Sequence, residues 1–311
     1  MKIVVTGANG FIGSFVVERA LARGIDVVGI VRESADIWRL EEIGFGSIRR
    51  ISHYTDVREI LNEEKPDVVV HLAAKVKKFH SYEDVYHLSD SIVSYTAVLL
   101  DAMRESGVRH LVYAGTSFEY GRDRMFQSTT DDLRPYDLYA ALKLASEDVI
   151  KFYVDKYGIN AAVLRPFFVF GYRDNPRKLL PYVIRLALKG SVDIDLTAGE
   201  QELDYVYVKD VADAFILASQ RLWEGKLRGF SAFNVGRGET VRLRDMMGIL
   251  QNILGTTLNI AWGKRQYADD EIMYLRADIS ASVNYLHWKP SYTIEEGLRE
   301  MVNYYRKKVV G

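Results

Sequence analysis

The sequence predicts a doubly wound α/β fold of the Rossmann type, with a parallel sheet covered by helices on both faces and a smaller C-terminal α/β lobe. In the first half, short apolar runs alternate with segments of helical periodicity, as in successive β-α-β units. These apolar runs are continuous, which is typical of strands that are buried on both faces. A glycine-rich turn joins the first strand to the first helix, where folds of this class bind a ligand.

The elements of the first half follow from this periodicity. Residues 2–6 form the first predicted strand, and the helix from Phe11 to Arg23 ends at Gly24. The further predicted elements are strands at 26–31, 47–51 and 67–73, a helix at 85–106, a strand at 110–114, a helix at 138–157 and a strand at 161–164. We therefore predict that residues 1–165 form a dinucleotide-binding domain.

The second half lacks this regular alternation of strands and helices, because proline and glycine separate shorter elements after Arg165. We predict that residues 166–311 form a smaller substrate lobe and that segments near 204–236 return to the main sheet. Asp210 is predicted to be the N-cap of a helix that runs to Ala218. The other predicted elements are strands at 206–208 and 233–235 and helices at 243–254 and 298–305.

Composition narrows the possible functions. A net charge of −1 provides no basic field for nucleic acid or a membrane surface, and the absence of cysteine excludes disulfides and thiolate metal sites. The apolar run at 68–74 is far shorter than the roughly 20 residues of a membrane helix. The chain opens directly on a strand, so we expect a cytoplasmic protein without a leader. No histidines and carboxylates occur at ligand spacing, so no metal is expected.

The turn after the first strand has the pattern Gly7-x-x-Gly10-x-x-Gly13. Glycine permits a tight turn and a close approach of the backbone to a pyrophosphate, and the following helix offers free N–H groups to the phosphates. We therefore predict a dinucleotide site. Its residues in this segment are Gly7, Asn9, Gly10, Phe11, Ile12 and Gly13.

The end of the second strand bears on the choice of coenzyme. Folds that bind NAD commonly place an acidic residue there for the ribose hydroxyl, whereas this strand ends in Val31-Arg32. A guanidinium group suits a 2′-phosphate. The sequence therefore favours NADP(H), and NAD(H) remains possible because Glu33 could reach a ribose.

Tyr139 and Lys143 are four residues apart in a predicted helix and so share one face. A free phenol has a pKa of about 10, which a neighbouring cation lowers. This pair is therefore a candidate proton donor and its activating group. Thr116 ends the strand before this helix, where its hydroxyl could hold a substrate oxygen beside Tyr139.

With these residues in place, the chain resembles the extended short-chain dehydrogenase/reductases, in particular the branch of nucleotide-sugar epimerases, dehydratases and ketoreductases. The motifs that carry this resemblance are Gly7-x-x-Gly10-x-x-Gly13, His71-Leu72-Ala73-Ala74, Thr116 to Tyr120-Gly121, Tyr139-x-x-x-Lys143, Arg165 to Gly171, Gly199 to Asp210, Phe233 to Gly236 and Trp288 to Leu298. The resemblance implies Thr116, Tyr139 and Lys143 as catalytic residues, and Leu72, Ala73 and Ala74 beside the cofactor. It also implies a homodimer formed through the helices near 85–105 and 138–157.

Several substrate-side positions depart from the family pattern. Phe168 replaces the usual Asn, Leu203 replaces an Arg, and Ala268 replaces a later Arg that often grips the diphosphate. A diphosphate requires charged partners, which Leu and Ala cannot supply. The cations that could substitute are Arg177, Lys178, Arg265 and Arg276. The candidate substrate contacts are Lys75, Ser117, Phe168, Lys178 and Arg265.

Several functional hypotheses remain open. The first is the reduction of a 4-keto nucleotide sugar by NADPH, with Tyr139 as the proton donor. The alternatives are an NAD-dependent nucleotide-sugar 4-epimerase, a reductase of a smaller carbonyl compound and a non-catalytic NADP sensor, against which the intact Thr–Tyr–Lys set argues. Dehydration is disfavoured, because Ser117-Phe118 follow Thr116 where dehydratases of the family carry Asp-Glu, and Glu119 is offset by one residue.

Overall fold

The computed structural model describes residues 1–77, 80–121, 125–190 and 193–310 of the 311-residue chain. Within these ranges the helices and strands are, in chain order, β1 (Lys2–Thr6), α1 (Phe11–Leu21), β2 (Asp26–Arg32), α2 (Trp38–Glu42), β3 (Ile48–Ile51), α3 (Val57–Glu64), β4 (Val68–His71), α4 (Tyr82–Ser89), α5 (Tyr95–Ser106), β5 (His110–Ala114), β6 (Phe126–Gln127), α6 (Leu138–Tyr157), β7 (Asn160–Pro166), β8 (Phe168–Phe170), α7 (Leu179–Leu188), β9 (Asp193–Asp195), β10 (Glu202–Leu203), β11 (Tyr205–Tyr207), α8 (Val208–Trp223), β12 (Phe230–Val235), β13 (Val241–Arg242), α9 (Leu243–Leu254), β14 (Asn259–Ala261), β15 (Tyr274–Ala277) and α10 (Ile294–Val310).

The main sheet has seven parallel strands in the order β12-β7-β5-β4-β1-β2-β3. β1 lies between β2 and β4, with Val4 opposite Val28 and Val5 opposite Val70. The chain runs outward in opposite directions from β1 and β4, so a crevice opens at their carboxyl ends. The predicted doubly wound parallel sheet is confirmed.

Both faces of this sheet are buried, as the continuous apolar strands predict. Along β1, Ile3 and Val5 face one apolar cluster, which includes Phe15 of α1. Val4 points to the opposite cluster, which includes Leu99 of α5. The alternation of side chains along a strand thus serves two cores, one on each face.

The second half of the chain adds smaller sheets and one strand of the main sheet. β12 pairs with β7, with Phe233 opposite Leu164. The other strands form a sheet in the order β13-β10-β15-β6 and the pairs β11-β8 and β14-β9. None of the helices in the described part of the chain is long and apolar enough to cross a membrane.

Several predicted elements differ in their bounds from the structure, and two of them are informative. The helix expected at 85–106 begins at Tyr82 and contains a wider π-type turn at Asp90–Ser94. The prediction of Asp210 as an N-cap is wrong, because α8 already begins at Val208. The Asp210 carboxylate instead accepts hydrogen bonds from the backbone N–H groups of Ser291 (2.8 Å) and Tyr292 (3.1 Å), a long-range contact that local patterns do not reveal.

Candidate active site

The backbone of the turn between β1 and α1 is closely packed against neighbouring backbone atoms. Gly7 has a φ of +68°, and a Cβ there would lie 2.8 Å from the Cα of Ala73. A Cβ on Gly13 would lie only 2.2 Å from the carbonyl oxygen of Gly7, although the φ of Gly13 is ordinary. The two glycines therefore serve different purposes, one a left-handed turn and the other close packing of the helix.

A cavity of about 200 Å³ opens beside this turn at the carboxyl ends of β1, β2 and β4. Seven of the predicted cofactor residues line it, whereas Phe11, Ile12, Gly13, Tyr139 and Lys143 do not. The residues that line it are Gly7, Asn9, Gly10, Ile30, Val31, Arg32, Ile51, Tyr54, Leu72, Ala73, Ala74, Lys75, Ser91 and Tyr95. The glycine cradle and its place at the switch between β1 and β4 fit the pyrophosphate and adenosine of a dinucleotide.

Arg32 ends β2 and lines this cavity, with its side chain exposed. No ion pair engages it among the described residues. The Glu33 carboxylate accepts a hydrogen bond from the Ser52 hydroxyl at 2.7 Å, and its backbone carbonyl accepts one from Arg50. The only charged group that the tip of β2 contributes to the cavity lining in the described chain is therefore a guanidinium.

His71 ends β4 beneath the cavity and is 1% exposed. Its Nδ1 lies 2.6 Å from the Thr6 hydroxyl and its Nε2 lies 3.2 Å from the Thr96 hydroxyl. Thr96 donates its own proton to the Ile92 carbonyl, so Nε2 of His71 carries the hydrogen and Nδ1 accepts from Thr6. Burial, and then the charge of Lys143, lower the pKa of His71 to about 3. His71 is thus a packed, neutral strand-end residue.

Helix α6 carries Tyr139 in its first turn, where the Asp137 carboxylate caps the helix by accepting from Ala140 N–H at 2.7 Å. One turn later, Lys143 is 2% exposed, and its ammonium donates to the carbonyl oxygen of Ala114 at 2.8 Å. The same nitrogen lies 5.9 Å from the centre of the Tyr139 ring. The predicted pair therefore faces the carboxyl end of β5.

Burial governs the ionisation of this pair. It lowers the pKa of Lys143 to about 8, against the opposing charges of Glu119 and Glu147. Burial also raises the pKa of Tyr139, and the charges of Glu119 and Asp137 raise it further. The expectation that Lys143 lowers the pKa of the phenol is therefore not met in this structure, because desolvation of the phenolate and the two neighbouring carboxylates raise that pKa. Tyr139 is a protonated phenol, which suits a proton donor.

Thr116 lies two residues after β5 and is 9% exposed. Its hydroxyl accepts from the N–H of Phe118 at 3.3 Å, and its own N–H donates to the Glu119 carboxylate at 2.9 Å. The side chain of Ser117 is buried, so this candidate substrate contact is covered. A short 3₁₀ turn over Ser117–Tyr120 thus holds Thr116 beside the helix of Tyr139.

Beneath Thr116 lies a buried ionic cluster that sequence reasoning did not identify. Arg165 donates through Nε to Glu119 at 2.7 Å and through Nη2 to Glu147 at 2.6 Å. Both carboxylates are fully buried, and burial followed by repulsion from Glu147 raises the pKa of Glu119 well above its usual range. Because Glu147 comes four residues after Lys143, the helical spacing of Tyr139, Lys143 and Glu147 was the signal that could have revealed this cluster.

The substrate-side departures form an apolar region. The ring of Phe168 lies 5.9 Å from that of Phe118 and 5.9 Å from that of Tyr205. Leu203 is 5% exposed and packs in a small cluster with Leu275. Ala268 is exposed. These positions provide no group that could bind a diphosphate.

Cations occur instead around a second cleft of about 470 Å³. Arg177, Arg185 and Arg265 line it beside Tyr182 and the apolar Leu196. No ion pair engages these three side chains among the described residues. The cleft adjoins the start of α7, where Lys178 pairs with Asp174 at 2.9 Å and lies 5.6 Å from the ring of Phe11.

Comparisons with known proteins identify the family of the chain. A model of the NAD dependent epimerase/dehydratase family matches residues 3–236. A UDP-glucose 4-epimerase of Mycolicibacterium smegmatis is 29% identical over 99% of both chains. A UDP-glucose 4-epimerase of Thermotoga maritima, solved with UDP-glucose, is 26% identical with a TM-score of 0.87 and covers 99% of this chain and 100% of that chain. A UDP-glucuronic acid 4-epimerase of Bacillus cereus, solved with UDP-glucuronic acid and NAD, is 25% identical with the same TM-score and coverage.

Proposed function

From the premise that this chain belongs to the NAD dependent epimerase/dehydratase family, we propose that it is a nucleotide-sugar 4-epimerase that retains NAD. Epimerases predominate among its relatives, which favours this alternative over the reduction of a 4-keto sugar. The observation that carries the proposal is the position of Lys143. Its ammonium donates to the carbonyl oxygen of Ala114 at the end of β5 and lies 5.9 Å from the centre of the Tyr139 ring, so the candidate proton donor and the lysine lie together at the carboxyl end of this strand.

The chain provides the groups that such a reaction requires. When bound in the cradle of Gly7, Gly10 and Gly13, the dinucleotide supplies a nicotinamide ring that takes up a hydride from a carbinol carbon and returns it. For the oxidation step Tyr139 has to lose its own proton first; as the phenolate it takes the proton of the 4-hydroxyl and returns it during reduction. Thr116 donates a hydrogen bond to the same oxygen, and Lys143 stabilises the transient phenolate. Re-reduction from the opposite face of the sugar inverts the configuration.

The nucleotide portion of the substrate requires charged partners, and we assign these to the second cleft. Arg177, Arg185 and Arg265 supply guanidinium groups that pair with a diphosphate in bidentate fashion. Tyr182 and the apolar side chains beside them suit a base and ribose. This assignment weighs against a small carbonyl substrate, which would have no use for three arginines. Under this proposal Phe168 and Leu203 enclose the sugar end rather than the phosphates.

We further propose that the chain has two domains and that it assembles as a dimer. Residues 1–165 hold the dinucleotide, and residues 166–311 form the substrate lobe. Two copies associate through α4 and α6, where Tyr82, Tyr86 and Phe152 are 90%, 72% and 53% exposed.

A second candidate function is NADPH-dependent reduction of a 4-keto nucleotide sugar. The observation that favours it is Arg32, which lines the cavity where NAD enzymes place an acidic residue. The same Tyr139 would then donate its proton once, to the keto oxygen, and the oxidised coenzyme would leave after each turnover.

One experiment separates the two functions. The purified protein is denatured, the released small molecules are identified by mass spectrometry, and the native protein is assayed with UDP-glucose, UDP-glucuronic acid and a 4-keto nucleotide sugar. Released NAD together with interconversion of a 4-epimer pair supports the epimerase. An empty protein that oxidises NADPH only with the keto sugar supports the reductase, and inertness toward all these substrates rejects both.

A further inference from the structure

The carboxyl of Glu119 joins two structural elements of the candidate site. One oxygen accepts the backbone N–H of Thr116 at 2.9 Å, and the other accepts Nε of Arg165 at 2.7 Å. Arg165 is the next-to-last residue of β7 and reaches Glu147 of α6, at 2.6 Å through Nη2 and 3.1 Å through Nε. The turn that holds Thr116 is thus connected by hydrogen bonds to the helix that holds Tyr139.

We infer that Glu119 is a positioning residue, which uses Arg165 and Glu147 to fix the main chain of Thr116 relative to Tyr139 and Lys143. Because Glu147 follows Lys143 by one helical turn, a displacement of α6 is transmitted through Arg165 to the turn of Thr116. The side chain of Glu119 is fully buried, so it touches no substrate and acts only through Thr116.

The surroundings of Glu119 favour this role over a contribution to stability. The charged and titratable groups that face it are Arg165, Glu147, Lys143, Tyr120, Tyr139 and Tyr113, all of them mostly or fully buried. Removing so many polar groups from water costs free energy that the ion pairs only partly offset. A second carboxylate on a guanidinium already paired with Glu147 adds to that cost. The contact that distinguishes Glu119 from Glu147 is the hydrogen bond that Glu119 accepts from the Thr116 N–H.

The packing around the turn that holds Thr116 allows few other backbone conformations. A Cβ on Gly115 would lie 3.0 Å from Oε1 of Glu119 and 3.1 Å from Cγ of Arg165. The hydroxyl of Tyr120 accepts from Arg165 at 2.9 Å and donates to Asn234 at 2.6 Å, which extends the network to β12. Loss of the Glu119 carboxylate therefore removes the charged acceptor that the Thr116 N–H has in the structure.

A double-mutant cycle tests this inference, which rests on the proposed function only for its kinetic readout. Because Glu119 acts through Thr116, we expect Glu119→Gln to lower kcat about 10-fold and Thr116→Ala to lower it about 100-fold, within the range of a positioned catalytic group. The double variant should fall no further than Thr116→Ala alone. KM and dinucleotide affinity should change less than about twofold, because neither depends on the Thr116 main chain. Effects that multiply, or full activity in Glu119→Gln, would overturn the inference.

Three further experiments control this test. Asp210→Asn alters another buried carboxylate with backbone partners and should combine multiplicatively with Thr116→Ala. If Glu119→Gln does not fold, Glu147→Gln breaks the network one step earlier and should be equally non-additive. In ¹H–¹⁵N spectra, the Thr116 amide should move upfield in Glu119→Gln. That shift needs no activity, so its absence refutes the inference, whereas an inactive wild-type enzyme refutes only the proposed function.

Discussion

The ammonium nitrogen of Lys143 lies 5.9 Å from the centre of the Tyr139 ring and 2.8 Å from the carbonyl oxygen of Ala114. One buried lysine therefore connects the helix of the candidate proton donor with the end of β5. Its position depends on the dense packing between α6 and the sheet, and its pKa of about 8 reflects that burial. This geometry makes the phenol of Tyr139 the group whose removal is most informative.

We expect Tyr139→Phe to lower kcat by a factor of about 10²–10⁴, the usual contribution of a positioned proton-transfer group. Dinucleotide affinity should change little, because the substitution removes one oxygen and leaves the ring in place. Steady-state kinetics and dinucleotide titration measure the two effects. Tyr157→Phe, at the far end of the same helix, should behave as wild type. Full turnover in Tyr139→Phe would eliminate the proposed donor.

The glycine turn gives a prediction about binding. Gly13→Ala places a Cβ 2.2 Å from the Gly7 carbonyl oxygen, so the turn must shift, at a cost of roughly 1–3 kcal/mol. Dinucleotide binding should weaken at least 10-fold, as measured by titration calorimetry of coenzyme-free protein. Gly248→Ala in α9 is the matched control, because a Cβ there meets no neighbouring atom. Unchanged binding by Gly13→Ala would show that the coenzyme does not lie on this turn.

Arg32 gives a prediction about coenzyme choice. If its guanidinium binds a 2′-phosphate, Arg32→Asp should weaken the binding of NADPH by about 1.5–3 kcal/mol, roughly the value of a charged hydrogen bond. The binding of NADH should stay the same or become stronger. Fluorescence titration with both coenzymes measures the ratio. Arg50→Asp provides the control, since Arg50 donates to the Glu33 carbonyl outside the cavity lining. If the wild type binds NADPH and NADH equally and Arg32→Asp changes neither affinity, Arg32 does not contact the coenzyme.

The exposed aromatic residues of α4 and α6 give a prediction about assembly. Phe152→Glu places a charge on a face that we propose to be buried between two copies, so the dimer should dissociate at concentrations where the wild type is dimeric. Light scattering after size-exclusion chromatography gives the mass. Trp223→Glu, an equally exposed aromatic at the end of α8, should not alter it. A monomeric wild-type protein, or a dimer unaffected by Phe152→Glu, contradicts this interface.

The main sheet was predictable from sequence because its strands are short, apolar and separated by helices. β1, β5 and α6 have the predicted bounds, since the turn glycines, the strand runs and the Asp137 cap are all local signals. The role of Asp210 was not predictable, because its partners Ser291 and Tyr292 are some 80 residues away.

The candidate site was only partly predictable for the same reason. Gly7, Asn9, Gly10, Arg32, Leu72, Ala73 and Ala74 line one cavity, whereas Phe11, Ile12 and Gly13 are not part of its lining. The ionic cluster of Glu119, Glu147 and Arg165 was missed, because three separate segments meet only in the folded chain. The raised pKa of Tyr139 was also missed, since the degree of burial is a property of the packed site and not of the spacing between Tyr139 and Lys143.

Stability in acid tests the environment of His71. Its pKa in the fold is about 3, below the ordinary 6.5, so below pH 6.5 the unfolded chain binds a proton that the folded chain refuses. The free energy of unfolding should therefore fall by about 1.4 kcal/mol for each pH unit between pH 6 and 4 from this residue alone. Well above pH 6.5, where the unfolded chain has also lost this proton, His71 should contribute no slope.

Other groups titrate in this range, so His71 is isolated by comparison with a variant. Burial raises the pKa of Asp204 to about 6, which gives a slope of opposite sign. His71→Gln keeps one donor and one acceptor for Thr6 and Thr96 but cannot titrate. Urea unfolding at pH 4, 5, 6 and 7 should show a slope smaller by about 1.4 kcal/mol per pH unit in His71→Gln than in the wild type, because one proton fewer is taken up on unfolding. The exposed His87→Gln should keep the wild-type slope. Identical slopes in all three proteins would mean that His71 is protonated in the fold and that Thr6 does not donate to it.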